Sequence, residues 1–241
     1  MIIDIHNHIG TRPGAQQSAE DLLRKMDGLK IDMCVIFPQT RTNENHLVLE
    51  ANRRYPDRLI GLVAVNPWNP HAVRDIRENV ERGAKGLKMH PYVDSYPLDN
   101  HQLTDPIFRL AEELELPILC HGSGDNPYSM PQQFAEMART FPKVTIIMGH
   151  TGAIWAVDAA VREGARFPNL FLETSTTLTC HVEAALREAG PTKVLMGTDS
   201  PFNSHAVELK KIEVCTTDPN VRNLVMGENA ARIFLKTGRP V

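Results

Sequence analysis

The sequence has few of the features that mark secreted, membrane-spanning or disulfide-stabilised proteins. Its four cysteines, Cys34, Cys120, Cys180 and Cys215, form no CxxC pair, so we expect reduced thiols. The longest apolar runs are far shorter than a membrane span. The first residues lack the basic segment, apolar stretch and small-residue cleavage site of a secretory leader. We therefore expect a soluble, cytoplasmic protein.

An excess of charge of one sign is also missing. The 26 Lys and Arg residues nearly balance 29 Asp and Glu residues, for a net charge of -3. This balance gives no electrostatic basis for binding nucleic acid or an anionic membrane surface. Apolar residues make up 42% of the 241 residues, which is enough for a sizeable core. We expect one domain over residues 1–241, a small-molecule substrate and, from the frequency of such assemblies, a homodimer.

Strand-like and helix-like segments alternate from end to end. The predicted strands are short apolar runs: Ile2–His6, Asp32–Pro38, Leu59–Asn66, Gly86–His90, Pro117–His121, Val144–His150, Leu170–Thr174 and Val194–Asp199. A helix is predicted after each strand: Ala19–Leu29, Glu44–Arg54, His71–Arg82, Asp105–Leu114 (with Pro106 in its first turn), Pro131–Arg139, Ile154–Arg166, Val182–Ala189 and Ala206–Val214. A final helix, Asn229–Lys236, would close or brace the structure. Parallel strands need such crossovers, so the pattern predicts an α/β fold, a (β/α)8 TIM barrel, over a doubly wound open sheet.

Metal-type ligands stand at the C-terminal ends of four predicted strands. They are His6 and His8, His121, His150 and Asp199. A closed barrel gathers these ends at one mouth, whereas an open sheet would scatter them. His6 and His8 are two residues apart and share a face of a strand, where neutral imidazoles can bind one divalent cation. A bare HxH is common by chance, but the ordered set favours a metal-centred active site over core histidines.

Each of the remaining candidates has an alternative interpretation. Asp199 is predicted to bind the metal and accept a proton from bound water, although Asp is also frequent in turns and helix caps. His150 is a further ligand or, as we prefer, a residue that hydrogen-bonds the bound water or polarises the substrate. Lys88 packs its stem in the barrel or is carbamylated and bridges two metals. The residues expected to contact substrate at the mouth are His90, Arg12, Arg41, Tyr92, Trp155 and Thr174.

With these residues in place, the chain resembles the amidohydrolase superfamily, in its amidohydrolase-related branch of metal-dependent hydrolases and aromatic-acid decarboxylases. The resemblance covers the full length and rests on an ordered set of motifs: Asp4–His8, Gly86–Pro91, His121, Gly149–His150, Gly197–Pro201 and Gly227–Phe234. It implies ligands at His6, His8, His121 and Asp199, with His150 as a catalytic or water-orienting histidine. It also implies one divalent ion, most often zinc and in some members manganese or iron.

Two departures from related patterns narrow the prediction. Binuclear members of the superfamily place a bridging carbamylated lysine or a glutamate at the end of the fourth strand, where this chain has His90. That favours a single metal ion, although carbamylated Lys88 could still bridge two metal ions. TatD-type nucleases share the HxH opening and a turn like Thr198–Pro201, but carry an acidic ligand near the fourth strand. A nuclease is therefore the less favoured prediction.

The main functional prediction is metal-dependent hydrolysis of an amide, lactone or related carbonyl substrate. A zinc site can lower the pKa of bound water from ~15.7 to roughly 7, which generates a nucleophile at neutral pH. The alternative is a non-oxidative decarboxylase of a small aromatic or unsaturated acid, with Arg12 or Arg41 holding a carboxylate. A non-catalytic barrel with a closed structural metal site is disfavoured, because the ligands stand at the C-terminal ends of the strands.

Overall fold

The computed structural model describes residues 1–42, 44–124 and 126–236, so residues 237–241 of the predicted domain lie outside the described part. The strands are β1 (Ile3–Arg12), β2 (Ala15–Gln17), β3 (Met33–Pro38), β4 (Leu59–Ala64), β5 (Gly86–Met89), β6 (Ile118–His121), β7 (Ile146–Gly149), β8 (Leu170–Glu173) and β9 (Val194–Leu195). The helices are α1 (Ala19–Leu29), α2 (Asn45–Arg54), α3 (Ala72–Glu81), α4 (Pro91–Asp94), α5 (His101–Glu113), α6 (Pro131–Thr140), α7 (Val157–Arg166), α8 (Thr179–Glu188), α9 (His205–Cys215), α10 (Pro219–Asn223) and α11 (Asn229–Phe234). No described helix is long and apolar enough to cross a membrane.

The strands form the predicted (β/α)8 barrel. β1 and β3 to β9 pair in parallel in chain order, and β2 adds a short antiparallel hairpin to β1. Backbone bonds close the sheet: the Ile5 N–H donates to Met196 O at 3.1 Å, and the His8 N–H donates to Ser200 O at 2.7 Å. The first strand therefore joins the segment that follows the last one. Sequential strands with helical crossovers close in this way because each crossover returns the chain to the same side of the sheet.

Several predicted boundaries were wrong. The first strand continues past His6 to Arg12 and turns into β2, which alternation alone did not indicate. The eighth parallel strand is regular only over Val194–Leu195, shorter than the predicted Val194–Asp199. α5 begins at His101, so Pro106 lies inside the helix and not in its first turn. α7 begins at Val157, since a 3-10 turn occupies His150–Gly152.

Alternate residues of β3 show which side chains fill the barrel. Met33, Val35 and Phe37 belong to the interior apolar cluster, whereas Cys34 and Ile36 pack against the surrounding helices. β1 follows the same rule with one interruption. Asp4 pairs with Cys34 and Asn7 with Ile36, so β1 has one residue more than β3 between these pairs. This bulge changes which residues face inward, and β-bulges commonly redirect side chains beside active sites.

The lower end of the barrel, at the N-terminal ends of the parallel strands, is closed by α11. Ala230, Ala231 and Phe234 of this helix join the interior cluster that also contains Ile3 and Val35. The sequence predicted that the final helix would close or brace the barrel, and this packing confirms it. The upper end, at the C-terminal ends of the strands, is left to polar side chains and the connecting loops.

Candidate metal centre and active site

Three predicted ligands meet at the upper end of the barrel. Asp199 Oδ1 lies 3.4 Å from His6 Nε2 and 3.2 Å from His8 Nε2. Metal–nitrogen bonds of about 2.0–2.1 Å in a tetrahedral site separate neighbouring donor atoms by about 3.3 Å. Both imidazoles are buried, and the Asp199 side chain is 15% exposed. The distances from Asp199 to the two imidazoles therefore match those of ligands to one small divalent cation, and all three donor atoms lie within 4.8 Å of one another.

Hydrogen bonds at Nδ1 orient both imidazoles. His8 Nδ1 lies 3.0 Å from Pro38 O, and His6 Nδ1 lies 2.8 Å from Glu173 Oε2. Each Nδ1–H is therefore the donor, which leaves the Nε2 lone pair directed at Asp199. Burial lowers the pKa of His6 and of His8, so the neutral, ligating form is favoured. Such outer hydrogen bonds set the tautomer of metal-binding histidines.

Glu173 is the functional residue that sequence reasoning missed. Its carboxylate is fully buried and accepts hydrogen bonds from His6 Nδ1, the His150 N–H at 3.0 Å and the Ser175 hydroxyl at 2.8 Å. Burial opposes ionisation, but the attraction of His6 and these hydrogen bonds lower the pKa of Glu173 to about 2. The available signal was a carboxylate at the end of the apolar run Leu170–Thr174, the same pattern that identified Asp199.

A close backbone approach accompanies Glu173. A Cβ atom added at Gly197 would lie 2.8 Å from Glu173 Cδ and 2.9 Å from the Cβ of His6. Real Cβ atoms essentially never come so close, so the glycine that precedes Thr198 and Asp199 is required by packing. It lets the segment after β9 approach β1 and β8 at the level of the metal centre.

His150 and Asp199 share a strained backbone conformation. Their φ angles are 61° and 59°, in the left-handed region that side chains rarely adopt. The backbone of His150 is held by the hydrogen bond from its N–H to Glu173. Such strain persists only where the surroundings enforce it, and it occurs most often at functional sites. Both predicted catalytic residues therefore have unfavourable backbone conformations that the surrounding structure maintains, and these conformations place their side chains at the candidate site.

A chain of hydrogen bonds connects Glu173 to His121. The Ser175 hydroxyl donates to Glu173, so its oxygen accepts from His150 Nδ1 at 2.8 Å. His150 Nε2 is then an acceptor, and His121 Nδ1 lies 3.1 Å from it. The proton at this contact therefore belongs to His121, whose Nε2 is left with a free lone pair. Burial lowers the pKa of His150 to about 4, so His150 is neutral at pH 7.

His121 itself lies outside the group formed by His6, His8 and Asp199. Its ring stacks on His90 with centroids 4.0 Å apart, and it packs edge-on against His150 at 4.8 Å. In the described residues, three groups have donor atoms within 4.8 Å of one another: His6, His8 and Asp199; His6, His150 and Glu173; and Asp4, Cys34 and His205. His121 belongs to none of them, and its role as a fourth ligand stays a prediction.

Lys88 is buried beside the imidazoles at this level. Its Nζ lies 3.3 Å from His6 Nε2 and 4.4 Å from the centre of the Phe37 ring. Burial lowers the pKa of Lys88 to about 8. Because the His6 lone pair cannot serve Lys88 and a metal ion together, metal binding would release the ammonium group toward the neighbouring cavity.

A cavity of about 840 Å³ opens from this point. Its lining includes His8, Lys88 and His90 at the metal centre and Arg41 and Asp94 farther out. Burial raises the pKa of Asp94 to about 6, although Arg41 opposes the shift. The volume suits a small-molecule ligand, whose sites typically measure ~300–1,000 Å³.

The remaining predicted substrate contacts are distributed unevenly. Arg12 lies over the Phe202 ring at 4.4 Å and hydrogen-bonds Thr40, while Tyr92 and Trp155 are 54% and 78% exposed. None of these three lines the cavity described above. Thr174 is buried, and its carbonyl accepts a hydrogen bond from Lys211. The structure therefore brings Arg41 and His90 to the cavity, and contact of the other four with substrate stays a prediction.

Comparison with solved structures finds the same fold at low sequence identity. A 5-carboxyvanillate decarboxylase from Sphingomonas paucimobilis is 18% identical, with a TM-score of 0.76 and coverage of 97% of this chain and 98% of that one. A 2,6-dihydroxybenzoate decarboxylase from Rhizobium is 17% identical, with a TM-score of 0.78 over 98% and 99% of the two chains. A probable 2-pyrone-4,6-dicarboxylic acid hydrolase from Acinetobacter baumannii is 15% identical, with a TM-score of 0.74 over 97% and 98%. No curated protein sequence matches the chain.

Comparison with family models assigns nearly the whole chain to one family. The amidohydrolase model matches residues 3–235, from the first strand of the barrel to the helix that closes it. The matched range contains every residue of the metal centre and of its hydrogen-bond network. This protein belongs to the amidohydrolase family of enzymes.

Proposed function

We propose that the protein is a metal-dependent hydrolase of an amide, lactone or related carbonyl substrate. The observation that carries the proposal is the convergence of His6 Nε2, His8 Nε2 and Asp199 Oδ1, all within 4.8 Å of one another, beside a cavity of ligand size. These residues, with His121 as fourth ligand, would hold one divalent ion. Zinc suits the two or three imidazoles and one carboxylate of this set. Manganese is the metal bound in the dihydroxybenzoic acid decarboxylase from Polaromonas sp. JS666, whose structure is similar.

Asp199 and His150 would have different roles at the reacting carbonyl: Asp199 transfers protons, and His150 positions a neighbouring residue. The bound ion supplies Lewis-acid activation of water and carbonyl oxygen. The neighbouring imidazoles hold the pKa of Asp199 below its ordinary value despite burial, so the carboxylate is ionised and can take the proton of the attacking water. Asp199 then returns this proton to the leaving group. Both ring nitrogens of His150 are engaged, one with Ser175 and one with His121, so His150 would act here by holding His121 in place. Its predicted role in orienting the water or polarising the substrate stays a prediction.

Non-oxidative decarboxylation is the second candidate, and two cationic side chains among the residues that line the cavity favour it. Lys88 beside the metal centre and Arg41 farther out are suited to a substrate carboxylate. Two of the similar structures are decarboxylases of small aromatic acids. In this reaction the carbon–carboxylate bond breaks, carbon dioxide leaves, and the electron pair stays on the substrate carbon. Asp199 or a histidine, having first taken a proton from water, would then deliver it to that carbon to complete the product.

Metal content and product analysis test both candidates. Elemental analysis of protein purified without chelator should find about one zinc, manganese or iron per chain, and His6→Ala should lose it. His71→Ala is the matched control, because His71 is exposed at the start of α3, and it should keep the metal. Loaded enzyme is then screened with amides and lactones for hydrolysis and with aromatic acids for carbon dioxide release. A protein with no transition metal, even after reconstitution, would contradict the proposal.

The partners and location follow from the same assignment. We propose a small-molecule substrate, no nucleic-acid or membrane partner, and a cytoplasmic enzyme that forms a homodimer. The support is the near balance of charge and the cavity of ligand size at the barrel mouth. Size-exclusion chromatography with light scattering would measure the oligomeric state directly.

A further inference from the structure

Gln39 continues the interior-facing series of β3. Met33, Val35 and Phe37 point into the barrel, so the next residue of this alternation, Gln39, points into its upper end. The Phe37 ring, one step below, packs edge-on against His6 at 5.1 Å and His8 at 4.6 Å. The Gln39 backbone is fixed as well, since its N–H donates to Ile9 O at 2.9 Å. Gln39 thus follows directly after the strand whose Phe37 contacts two of the predicted ligands.

The side chain of Gln39 is buried without a hydrogen-bond partner. It is 1% exposed, and neither Oε1 nor Nε2 has a partner within the described ranges. It lines the same cavity as His8 and Lys88. Buried amides are nearly always hydrogen-bonded, because desolvation of an unpaired amide is unfavourable. A ligand in the cavity would supply the hydrogen-bond partners that the Gln39 amide lacks within the protein.

Gln17 shows what a purely structural glutamine looks like in this fold. It is also 1% exposed, but its Nε2 donates to His8 O at 2.9 Å and its Oε1 accepts from Ser200 Oγ at 3.0 Å. Its amide therefore links β1 to the segment after β9. Gln39, with equal burial and no such bonds, has no comparable structural role.

We propose that Gln39 is a specificity-determining residue that recognises a neutral polar group of the substrate, such as a hydroxyl or carboxamide, near the reacting carbon. An amide offers one donor side and one acceptor side. A hydroxyl or carboxamide can satisfy both, whereas a carboxylate would leave Oε1 facing another lone pair. Negative charge on the substrate would instead lie toward Lys88 and Arg41. The inference rests on the proposed function only in taking this cavity as the substrate site.

The first test needs no substrate. Gln39→Met removes the unpaired amide at similar volume, so the urea midpoint of the metal-loaded protein should rise. Gln17→Met removes a satisfied amide and leaves its partners unpaired, so the midpoint should fall. If Gln39→Met lowers the midpoint as Gln17→Met does, the Gln39 amide has a structural role and the inference is overturned. This comparison holds whether or not the enzyme is a hydrolase.

The second test uses the substrate found by the hydrolysis and decarboxylation screen, together with an analogue in which the neutral polar group is replaced by hydrogen. Wild-type enzyme should prefer the full substrate in kcat/KM by ~10–100-fold, as expected for a buried group left unpaired. In Gln39→Met the preference should fall to near one. An active variant with unchanged preference would overturn the inference and leave the proposed function intact. Absence of turnover and metal in wild-type protein would instead remove the proposed function.

Discussion

The two ends of the barrel are built from the same strands but on opposite principles. At the lower end, Ile3, Val35 and Ile60 fill the interior and Phe234 packs from below, all of them apolar. At the upper end the buried side chains include imidazoles, carboxylates and ammonium groups, and His150 and Asp199 are among the residues with left-handed backbone. The lower end stabilises the fold through apolar burial. The upper end holds groups that water would otherwise solvate, in positions set by their mutual hydrogen bonds.

The difference has a simple physical basis. Apolar side chains have no hydrogen-bonding groups to satisfy, so the lower end of the barrel requires only close packing. A buried ionised group needs compensation, and Glu173 obtains it from His6, His150 and Ser175. Barrel enzymes commonly separate stability from chemistry along the barrel axis in this way. Substitutions at the two ends should therefore change different measured quantities.

The largest expected effect is on turnover at the upper end. Asp199→Asn keeps the shape of the side chain but removes the proton acceptor, so kcat should fall by ~10²–10⁴-fold. The thermal midpoint should change little, because Asp199 is partly exposed and lies outside the apolar core. Steady-state kinetics with the screened substrate and a thermal melt would measure both. Full activity in this variant would remove Asp199 from the mechanism.

The corresponding change at the lower end should affect stability alone. Ile60→Ala empties space in the buried interior cluster at the level of Val35, so the free energy of unfolding should fall by ~2–5 kcal/mol. Turnover per folded molecule should stay at the wild-type value. Urea denaturation and active-site-normalised kinetics provide the measurement. Val207→Ala, at a 64% exposed position on α9, is the control and should change stability by less than ~0.5 kcal/mol. A large loss of kcat in Ile60→Ala would show that the two ends of the barrel are not independent.

A third change tests the network that joins the metal centre to the barrel wall. Glu173→Gln introduces an NH₂ group that cannot accept from His6 Nδ1–H, His150 N–H and Ser175 together. Metal affinity should fall by ~10–100-fold, as observed when outer-shell partners of metal-binding histidines are changed. Competition with a chromophoric chelator would measure this, with Glu188→Gln at the surface end of α8 as the control. Equal affinities in the two variants would show that Glu173 does not orient His6.

The smallest expected effect concerns a charged group outside the metal centre. Lys193, just before β9, donates to Phe167 O at 2.8 Å and Pro168 O at 2.7 Å, and burial lowers its pKa to about 8. The unfolded chain therefore binds more protons than the folded one between pH 8 and the ordinary lysine pKa near 10.5, so this group makes stability rise with pH in that window. The urea midpoint of wild type minus that of Lys193→Met should increase from pH 7.5 to pH 9 and again to pH 10. A constant difference would show that the lysine is not desolvated.

Most of the architecture and the chemical identity of the site could be predicted from the sequence. Alternating apolar runs and helices predicted the barrel, because hydrophobic periodicity is a local property of the chain. Imidazoles and a carboxylate at the ends of those runs pointed to a metal centre, and His6, His8 and Asp199 do converge. That inference succeeded because parallel strands place their C-terminal ends on one side.

Other features depended on contacts between distant segments, and only the tertiary structure decided them. The bulge in β1 that turns His6 and His8 inward is a mismatch of pairing with β3, which no single strand encodes. The role of Glu173 arises from its contact with His6, 167 positions away along the chain. The unpaired amide of Gln39 is visible only once its surroundings are known. Sequence determines which groups are available at each strand end, whereas burial and hydrogen-bond partners are properties of the assembled barrel.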